Sequence, residues 1–115
     1  MKKWIRNGTI VTASDTYQAD VLIEGEKVVA IGAQWQAGDA EVIDASGCYL
    51  FPGGIDPHTH LDMPFGGTVT SDNFFTGTKA AAFGGTTSIV DFCLTTKGES
   101  LHSAIATWHE KARGK

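Results

Sequence analysis

The feature that most constrains the fold is a change of pattern at Pro52-Gly53-Gly54. Before this break the chain carries short apolar runs separated by turn residues, a pattern that predicts strands. After the break, β-branched runs alternate with amphipathic segments in the order strand, helix, strand, helix, which is typical of a parallel α/β fold. We therefore predict two parts, a strand-rich segment over residues 1–52 and the start of an α/β domain over residues 53–115.

Two hairpins are predicted in the strand-rich part. Residues 19–24 and 28–31 are apolar runs separated by the three-residue loop Gly25-Glu26-Lys27, and a short Gly-containing loop between such runs indicates a hairpin. A weaker hairpin is predicted between residues 41–44 and 49–51. An all-strand segment of this size would leave sheet edges open, so we expect it to need strands from elsewhere.

The α/β part begins with a predicted strand, loop and helix. Residues 55–60 are predicted to be a buried strand end, and the Gly-rich residues 61–69 a loop. Ser71 or Asp72 is expected to cap a helix, because both residue types are favoured at that position. The helix is expected to stop at Gly84-Gly85, since glycine commonly ends helices.

A second strand and helix complete the predicted order. The β-branched run over residues 86–92 favours a strand. Ser100 is expected to cap the second helix, whose apolar residues share one stripe: Leu101, Ala104, Ile105, Trp108 and Ala112. Two βα units cannot close a barrel, because an eight-unit barrel takes roughly 250 residues. We therefore expect the chain to be a fragment, with a complete small α+β domain as the alternative.

Composition excludes several classes of function. The net charge of −4 argues against a nucleic-acid surface, where a basic patch is expected. No apolar run approaches the roughly 20 residues that a membrane helix needs, and the charged residues near Met1 do not resemble a signal peptide. Cys48 and Cys93 lack the spacing of a structural zinc site, and two such isolated cysteines indicate reduced thiols and a cytoplasmic location.

The strongest chemical motif is Gly54-Ile55-Asp56-Pro57-His58-Thr59-His60. On a strand, residues two apart point to the same face, so His58 and His60 can converge on one metal ion. At the carboxyl end of a barrel strand they would face the mouth, where barrel enzymes keep their active sites. Pro57 fits this placement, because proline belongs where a strand ends or bulges. The pair is therefore predicted to bind metal.

Other titratable residues have weaker predictions. Asp56 shares the face of the histidine pair, and three interpretations stay open: a metal ligand, a carboxylate that orients an imidazole, or a strand-end aspartate. Asp91 is expected to make a structural hydrogen bond near the end of the second strand. His102 and His109 lie seven apart on the polar side of the second helix and are interpreted as solvated residues.

Three stretches together resemble a known family. Residues 51–60 resemble the entry motif of the amidohydrolase superfamily, whose first barrel strand ends in a metal-binding His-x-His. Residues 62–68 and 80–92 resemble the hydantoinase and dihydropyrimidinase branch of that superfamily. Dihydroorotases carry an arginine two residues after the second histidine, where this chain has Asp62. The resemblance covers nearly the whole chain and favours an enzyme that hydrolyses a cyclic amide.

The resemblance implies an architecture and a metal site. Residues 1–52 would be the N-terminal part of a small β-sandwich domain, and residues 53–115 the first two βα units of a TIM-like (β/α)8 barrel. Such enzymes hold two divalent metal ions, usually zinc, bridged by a carboxylated lysine that this chain lacks. Manganese or cobalt are also compatible with imidazole ligands. Two more histidines and an aspartate would complete the site, and the full-length protein would be a homotetramer.

The resemblance also implies a reaction. A hydantoin or dihydropyrimidine ring would be opened to an N-carbamoyl amino acid, with a small cyclic amide or ureide as the partner and no nucleic acid or membrane. The loop after His60 would shape the pocket, with Met63 and Phe65 near the substrate's side group, or these side chains would only pack the loop. The 115-residue chain is expected to be inactive alone. Two alternatives stay open: a non-catalytic scaffold of the dihydropyrimidinase type, and another amidohydrolase such as an allantoinase.

Overall fold

The computed structural model describes residues 1–33, 36 and 38–115 of the protein. In this part of the chain, no helix is long and apolar enough to cross a membrane. The chain divides into two compact units, Met1–Pro52 and Gly53–Lys115.

The first unit contains strands in two sheets. The strands are β1 (Lys2–Arg6), β2 (Thr9–Val11), β3 (Thr16–Gln18), β4 (Asp20–Glu24), β5 (Lys27–Gly32), β6 (Glu41–Asp44) and β7 (Tyr49–Leu50). The sheets have the strand orders β5-β4-β1-β6 and β3-β2-β7. Ile10, Val21 and Ala45 are its buried apolar residues, among those the structure describes.

The first predicted hairpin is confirmed, with a shorter loop. β4 and β5 pair antiparallel, and Glu24 stands opposite Lys27, so the loop consists of Gly25 and Glu26 alone. Gly25 has a φ of 61°. A two-residue hairpin loop needs positive φ at one or both positions, which glycine adopts without a steric penalty.

The second predicted hairpin is wrong. β6 pairs parallel with β1, and β7 pairs parallel with β2, so the two strands lie in different sheets. The segment between them crosses from one sheet to the other, held by the Ala45 N–H donating to the Arg6 carbonyl at 2.8 Å. A short loop predicts that the two strands it joins pair with each other only when neither strand has a better partner. Here β6 pairs with β1 and β7 pairs with β2, both of which lie far away in the chain.

The end of β6 is held by the Asp44 carboxylate. Its Oδ1 accepts hydrogen bonds from Asn7 Nδ2 at 2.9 Å, Ser46 N at 3.1 Å and Ser46 Oγ at 2.7 Å. These bonds favour the charged form, the one from the Asn7 side chain most, and they hold the pKa of Asp44 below its usual value of 3.8.

A lowered pKa in the folded state makes stability depend on pH. The contribution of Asp44 is present above its usual pKa and is lost as the pH falls through the lowered pKa. We expect Asp44→Asn to lower the thermal midpoint at pH 6, and we expect the difference from the unsubstituted protein to shrink as the pH falls through the lowered pKa of Asp44. Thermal unfolding of both proteins across this range measures the effect. A difference that stays constant with pH would contradict the assignment.

The second unit alternates strands and helices as predicted. Its elements are β8 (Gly54–Thr59), β9 (Pro64–Phe65), β10 (Thr68–Val69), α1 (Phe74–Phe83), β11 (Thr86–Asp91) and α2 (Leu101–Ala112). β8 and β11 pair parallel, and α1 contacts both β11 and α2. Phe74 and Ala104 are its buried apolar residues within the described chain. The parallel α/β pattern is therefore confirmed for this unit.

Two local predictions in this unit are wrong. The predicted loop over residues 61–69 contains the antiparallel ribbon β9–β10, closed by Gly66 and Gly67 with φ of 59° and 83°. Both values suit a two-residue hairpin turn, so the Gly-Gly pair was the missed sequence signal. The strand end at residues 55–60 is also less buried than predicted. Ile55 is 69% exposed, because β11 is the sole strand beside β8 in the described chain.

Helix α1 begins later than predicted. Its N-cap is Asn73, whose side chain accepts the N–H groups of Phe75 and Thr76, while Thr76 Oγ1 accepts the Asn73 N–H. The Asp72 carbonyl instead accepts the Asp62 N–H at 2.8 Å, which keeps Asp72 in the preceding loop. The predicted stop at Gly84-Gly85 and the Ser100 cap of α2 are both confirmed.

Gly77 lets Leu61 approach helix α1. A Cβ added at Gly77 would lie 2.4 Å from Leu61 Cδ2. In an open helix, Gly→Ala would stabilise by about 1 kcal/mol. Here we expect Gly77→Ala to destabilise the protein by about 1–2 kcal/mol, because the new methyl overpacks the contact. Urea denaturation measures the change, and Leu61→Ala in the same chain should remove the clash. Stabilisation by Gly77→Ala alone would contradict the close packing.

Candidate metal centre

The structure brings the two motif histidines together. His58 Nε2 and His60 Nε2 lie 3.0 Å apart at the end of β8. Two imidazole nitrogens bound to one zinc ion at about 2.0–2.1 Å, with a tetrahedral angle, lie roughly 3.3 Å apart. The observed separation is close to this value, so the two nitrogens fit a shared divalent ion.

A strand irregularity includes the first histidine of the pair. Asp56 stands opposite Ile89 and Thr59 stands opposite Asp91, so β8 has one more residue than β11 between these positions. The extra residue falls at Pro57-His58, where a proline lacks the N–H that a regular ladder requires. The prediction that Pro57 marks a bulge or a strand end is confirmed.

Phe92 packs against both imidazoles. Its ring centroid lies 4.6 Å from that of His58 and 4.9 Å from that of His60. This contact restricts the rotation of both imidazole rings. Phe92 was not among the residues predicted for the site, although its position directly after β11, the parallel partner of β8, was the available signal.

Asp91 connects the end of β8 to helix α2. Asp91 Oδ1 accepts Thr59 Oγ1 at 2.7 Å and Leu61 N at 2.8 Å, and Oδ2 accepts Trp108 Nε1 at 2.9 Å. The predicted structural role of this carboxylate is confirmed, and the structure adds that it bonds both neighbours of His60.

Asp56 bonds the backbone of the pair. Its Oδ1 accepts the His58 N–H at 3.1 Å. β8 has a register irregularity between Asp56 and Thr59, so strand alternation alone does not place Asp56 on the face of His58. His60 Nδ1 is buried, and among the described residues it has no hydrogen-bond partner. The role of Asp56 in orienting an imidazole stays a prediction.

The loop after His60 is anchored at its start. Asp62 has a φ of 51°, and its carbonyl accepts a hydrogen bond from Lys111 Nζ at 2.5 Å. Met63 is half-buried and exchanges hydrogen bonds with Thr70, whereas Phe65 on β9 is 73% exposed. The packing interpretation therefore suits Met63 better than Phe65.

The two remaining histidines lie outside the pair. His102 and His109 are exposed on α2, as the sequence predicted. Within residues 1–33, 36 and 38–115, no group of three or more His, Cys, Asp or Glu side chains is arranged to hold a metal ion. A tetrahedral ion bound by His58 and His60 would therefore take its other ligands from outside these residues.

Known proteins are similar to this chain in sequence and in fold. The chain is 69% identical over its whole length to a D-hydantoinase of Geobacillus stearothermophilus, of which it covers 24%. It superimposes on a crystal structure of dihydropyrimidinase from Brevibacillus agri NCHU1002 with a TM-score of 0.96 and 91% identity, covering all of this chain and 25% of that one. For the L-hydantoinase (dihydropyrimidinase) from Arthrobacter aurescens the TM-score is 0.77 at 26% identity, over 96% of this chain and 24% of that one. No protein-family model matches the chain.

The fold and the site define a segment of an α/β protein with a converging histidine pair at the end of one of two parallel strands. The chain spans about a quarter of the length of the relatives it matches. It belongs to the hydantoinase and dihydropyrimidinase family and corresponds to the N-terminal quarter of those proteins.

Proposed function

We propose that this chain is the N-terminal segment of a metal-dependent hydrolase that opens a hydantoin or dihydropyrimidine ring to an N-carbamoyl amino acid. The observation that carries the proposal is the 3.0 Å separation of His58 Nε2 and His60 Nε2. The relatives named D-hydantoinase and dihydropyrimidinase support the substrate class. In the complete protein, residues 1–52 belong to a β-sandwich and residues 53–115 begin a TIM-like barrel.

His58 and His60 would hold a divalent ion, with zinc preferred and manganese or cobalt also compatible with imidazole. When bound, such an ion polarises the amide carbonyl and lowers the pKa of a water molecule towards neutrality. The residues of this chain fix the imidazoles: Phe92 packs on both rings, and Asp91 bonds both neighbours of His60. A second ion and a bridging carboxylated lysine would be supplied with the rest of the protein.

A chimera tests the function directly. Residues 1–115 would replace the aligned quarter of the Brevibacillus agri dihydropyrimidinase, to which they are 91% identical. We expect the chimera to hydrolyse dihydrouracil and 5-substituted hydantoins, to lose activity on dialysis against a chelator, and to recover it with Zn²⁺. The 115-residue chain alone should show no turnover. A folded chimera that copurifies without metal and hydrolyses neither substrate would favour the scaffold alternative.

The ribbon after His60 is proposed to contact the exocyclic group of the substrate. Phe65 is 73% exposed on β9 in the described chain, so its ring is available for contact with a ligand. We expect Phe65→Ala in the chimera to change the ratio of kcat/KM for bulky over small 5-substituted hydantoins by about tenfold, the effect of one or two methylene contacts in an apolar pocket. Met63→Ala should change the same ratio less, because Met63 also packs the loop. Val69→Ala on the paired strand β10 is the matched control, since Val69 is also exposed, at 55%. Equal ratios in all four proteins would rule out the contact.

Assembly and location complete the proposal. We propose that the complete protein is a cytoplasmic homotetramer that binds neither nucleic acid nor membrane. Light scattering of the purified chimera measures its mass in solution, and cell fractionation of the source organism measures the location. A monomeric chimera with full activity would separate assembly from catalysis.

A further inference from the structure

We propose that Asp91 is a positioning residue that sets the geometry of the His58–His60 pair. The inference rests on the proposed function, because the pair has a required geometry only if it binds metal. Asp91 does not touch the imidazoles. It acts through the backbone on both sides of His60, since its Oδ1 accepts both Thr59 Oγ1 and the Leu61 N–H.

The end of β8 needs such a carboxylate. Pro57 has no N–H, the bulge interrupts the ladder, and the Thr59 carbonyl accepts the Phe92 N–H at 3.0 Å as a late bond between the two strands. Beyond that point the Leu61 N–H has left the ladder, and Asp91 provides its acceptor. The chain then turns at Asp62, whose φ is 51°. Without Asp91, the backbone at His60 would be held from one side only.

The second carboxylate oxygen fixes the orientation of the first. Asp91 Oδ2 accepts Trp108 Nε1 at 2.9 Å from helix α2, so the carboxylate cannot rotate away from Thr59 and Leu61 without losing this bond. Metal ligands must be held within roughly 0.5 Å of their productive positions. Helix α2 therefore contributes to the metal pair through Trp108 and Asp91, although it provides no ligand from its own histidines, which are exposed.

The three bonds require a carboxylate and not an amide. An asparagine at this position could present its oxygen to Thr59 and Leu61, but its NH₂ group would then face the Trp108 N–H, donor against donor. Asp91→Asn should therefore disturb the His58–His60 pair only through the repulsion between the asparagine NH₂ group and the Trp108 N–H. Trp108→Phe removes that donor, so the double variant Asp91→Asn/Trp108→Phe should relieve the conflict.

The test measures metal binding in the chimera. Zn²⁺ affinity is determined by competition with a chromogenic chelator, and the absorption spectrum of the Co²⁺-loaded protein reports ligand geometry. We expect Asp91→Ala to weaken Zn²⁺ binding by about 10- to 100-fold, the usual effect of removing a residue that orients metal ligands. Asp91→Asn should weaken it and shift the Co²⁺ bands, and the double variant should recover most of the affinity lost in Asp91→Asn.

Asp44→Ala is the matched control. The Asp44 carboxylate also accepts three hydrogen bonds at a strand end, but in the other unit. We expect Asp44→Ala to lower thermal stability while Zn²⁺ affinity and the Co²⁺ spectrum stay unchanged. Unchanged affinity and spectrum in Asp91→Ala would overturn the positioning role, as would equal losses in both alanine variants. If the unsubstituted chimera binds no Zn²⁺ through His58 and His60, the proposed function itself fails.

Discussion

Replacing both His58 and His60 by alanine in the chimera is expected to abolish hydrolysis of hydantoins and dihydropyrimidines, with a loss of at least about a thousandfold in kcat/KM. In the proposed mechanism a bound metal ion would contribute several kcal/mol to stabilisation of the transition state, and each 1.36 kcal/mol corresponds to about a tenfold change in rate. Removing the two nitrogens that lie 3.0 Å apart removes the ligands through which this chain would hold the ion.

The measurement has two readouts. Metal content per chain is determined after gel filtration, and turnover is measured with dihydrouracil. Each single variant, His58→Ala or His60→Ala, should already contain less than one metal ion per chain, because one remaining imidazole cannot chelate the ion. The matched control is His102→Ala/His109→Ala, which removes two exposed histidines from α2. Full metal content in the His58/His60 variant, or an equal loss in the α2 variant, would refute the assignment of the metal pair.

Replacing Phe74 by alanine is expected to destabilise the second unit by about 3–5 kcal/mol, the usual cost of truncating a buried phenylalanine. Phe74 is the first residue of α1 and is only 7% exposed. Together with Asp91 of β11 and with Ile105 and Trp108 of α2, it lines a pocket of about 220 Å³, so residues of all three elements lie around this pocket. The truncation would enlarge this pocket and loosen the support of Asp91 by Trp108.

Hydrogen exchange measures this effect in the chimera. We expect the protection of β8 and β11 amides to fall about a hundredfold or more, since about 3 kcal/mol is two decades in an opening equilibrium. Phe75→Ala is the matched control, because Phe75 is the next residue on the same helix and is 54% exposed. If both variants lose the same protection, burial of Phe74 is not what stabilises the unit.

Local patterns were sufficient for the histidine pair and for most elements. The convergence of His58 and His60 follows from strand alternation over two residues, which needs no information from the rest of the chain. The parallel β8–α1–β11 order and the Ser100 cap of α2 are similarly local. Local patterns also placed the break at Pro52-Gly53-Gly54 and the stops at Gly84-Gly85.

The errors arise where several residues satisfy the same local rule. Ser71, Asp72 and Asn73 are all favourable N-cap residues. Asn73 is the observed cap because the Asp72 carbonyl accepts a hydrogen bond from the Asp62 N–H, ten positions earlier in the chain. The turn sequence Ala45-Ser46-Gly47 is compatible both with a hairpin and with a connection between two sheets. The crossing is observed because β6 and β7 find parallel partners in β1 and β2.

Three features could be read from short stretches of the chain, because each depends on a few neighbouring residues: the residue types of the candidate site, the spacing that makes two imidazoles share a face, and the alternation of strands and helices. What holds the pair in place became apparent in the folded structure. Phe92 and Asp91 come from the neighbouring strand, and Trp108 from a helix 48 positions after His60. Such contacts depend on how parallel strands pair and on which helix face packs against them, and residue spacing along the chain does not encode either.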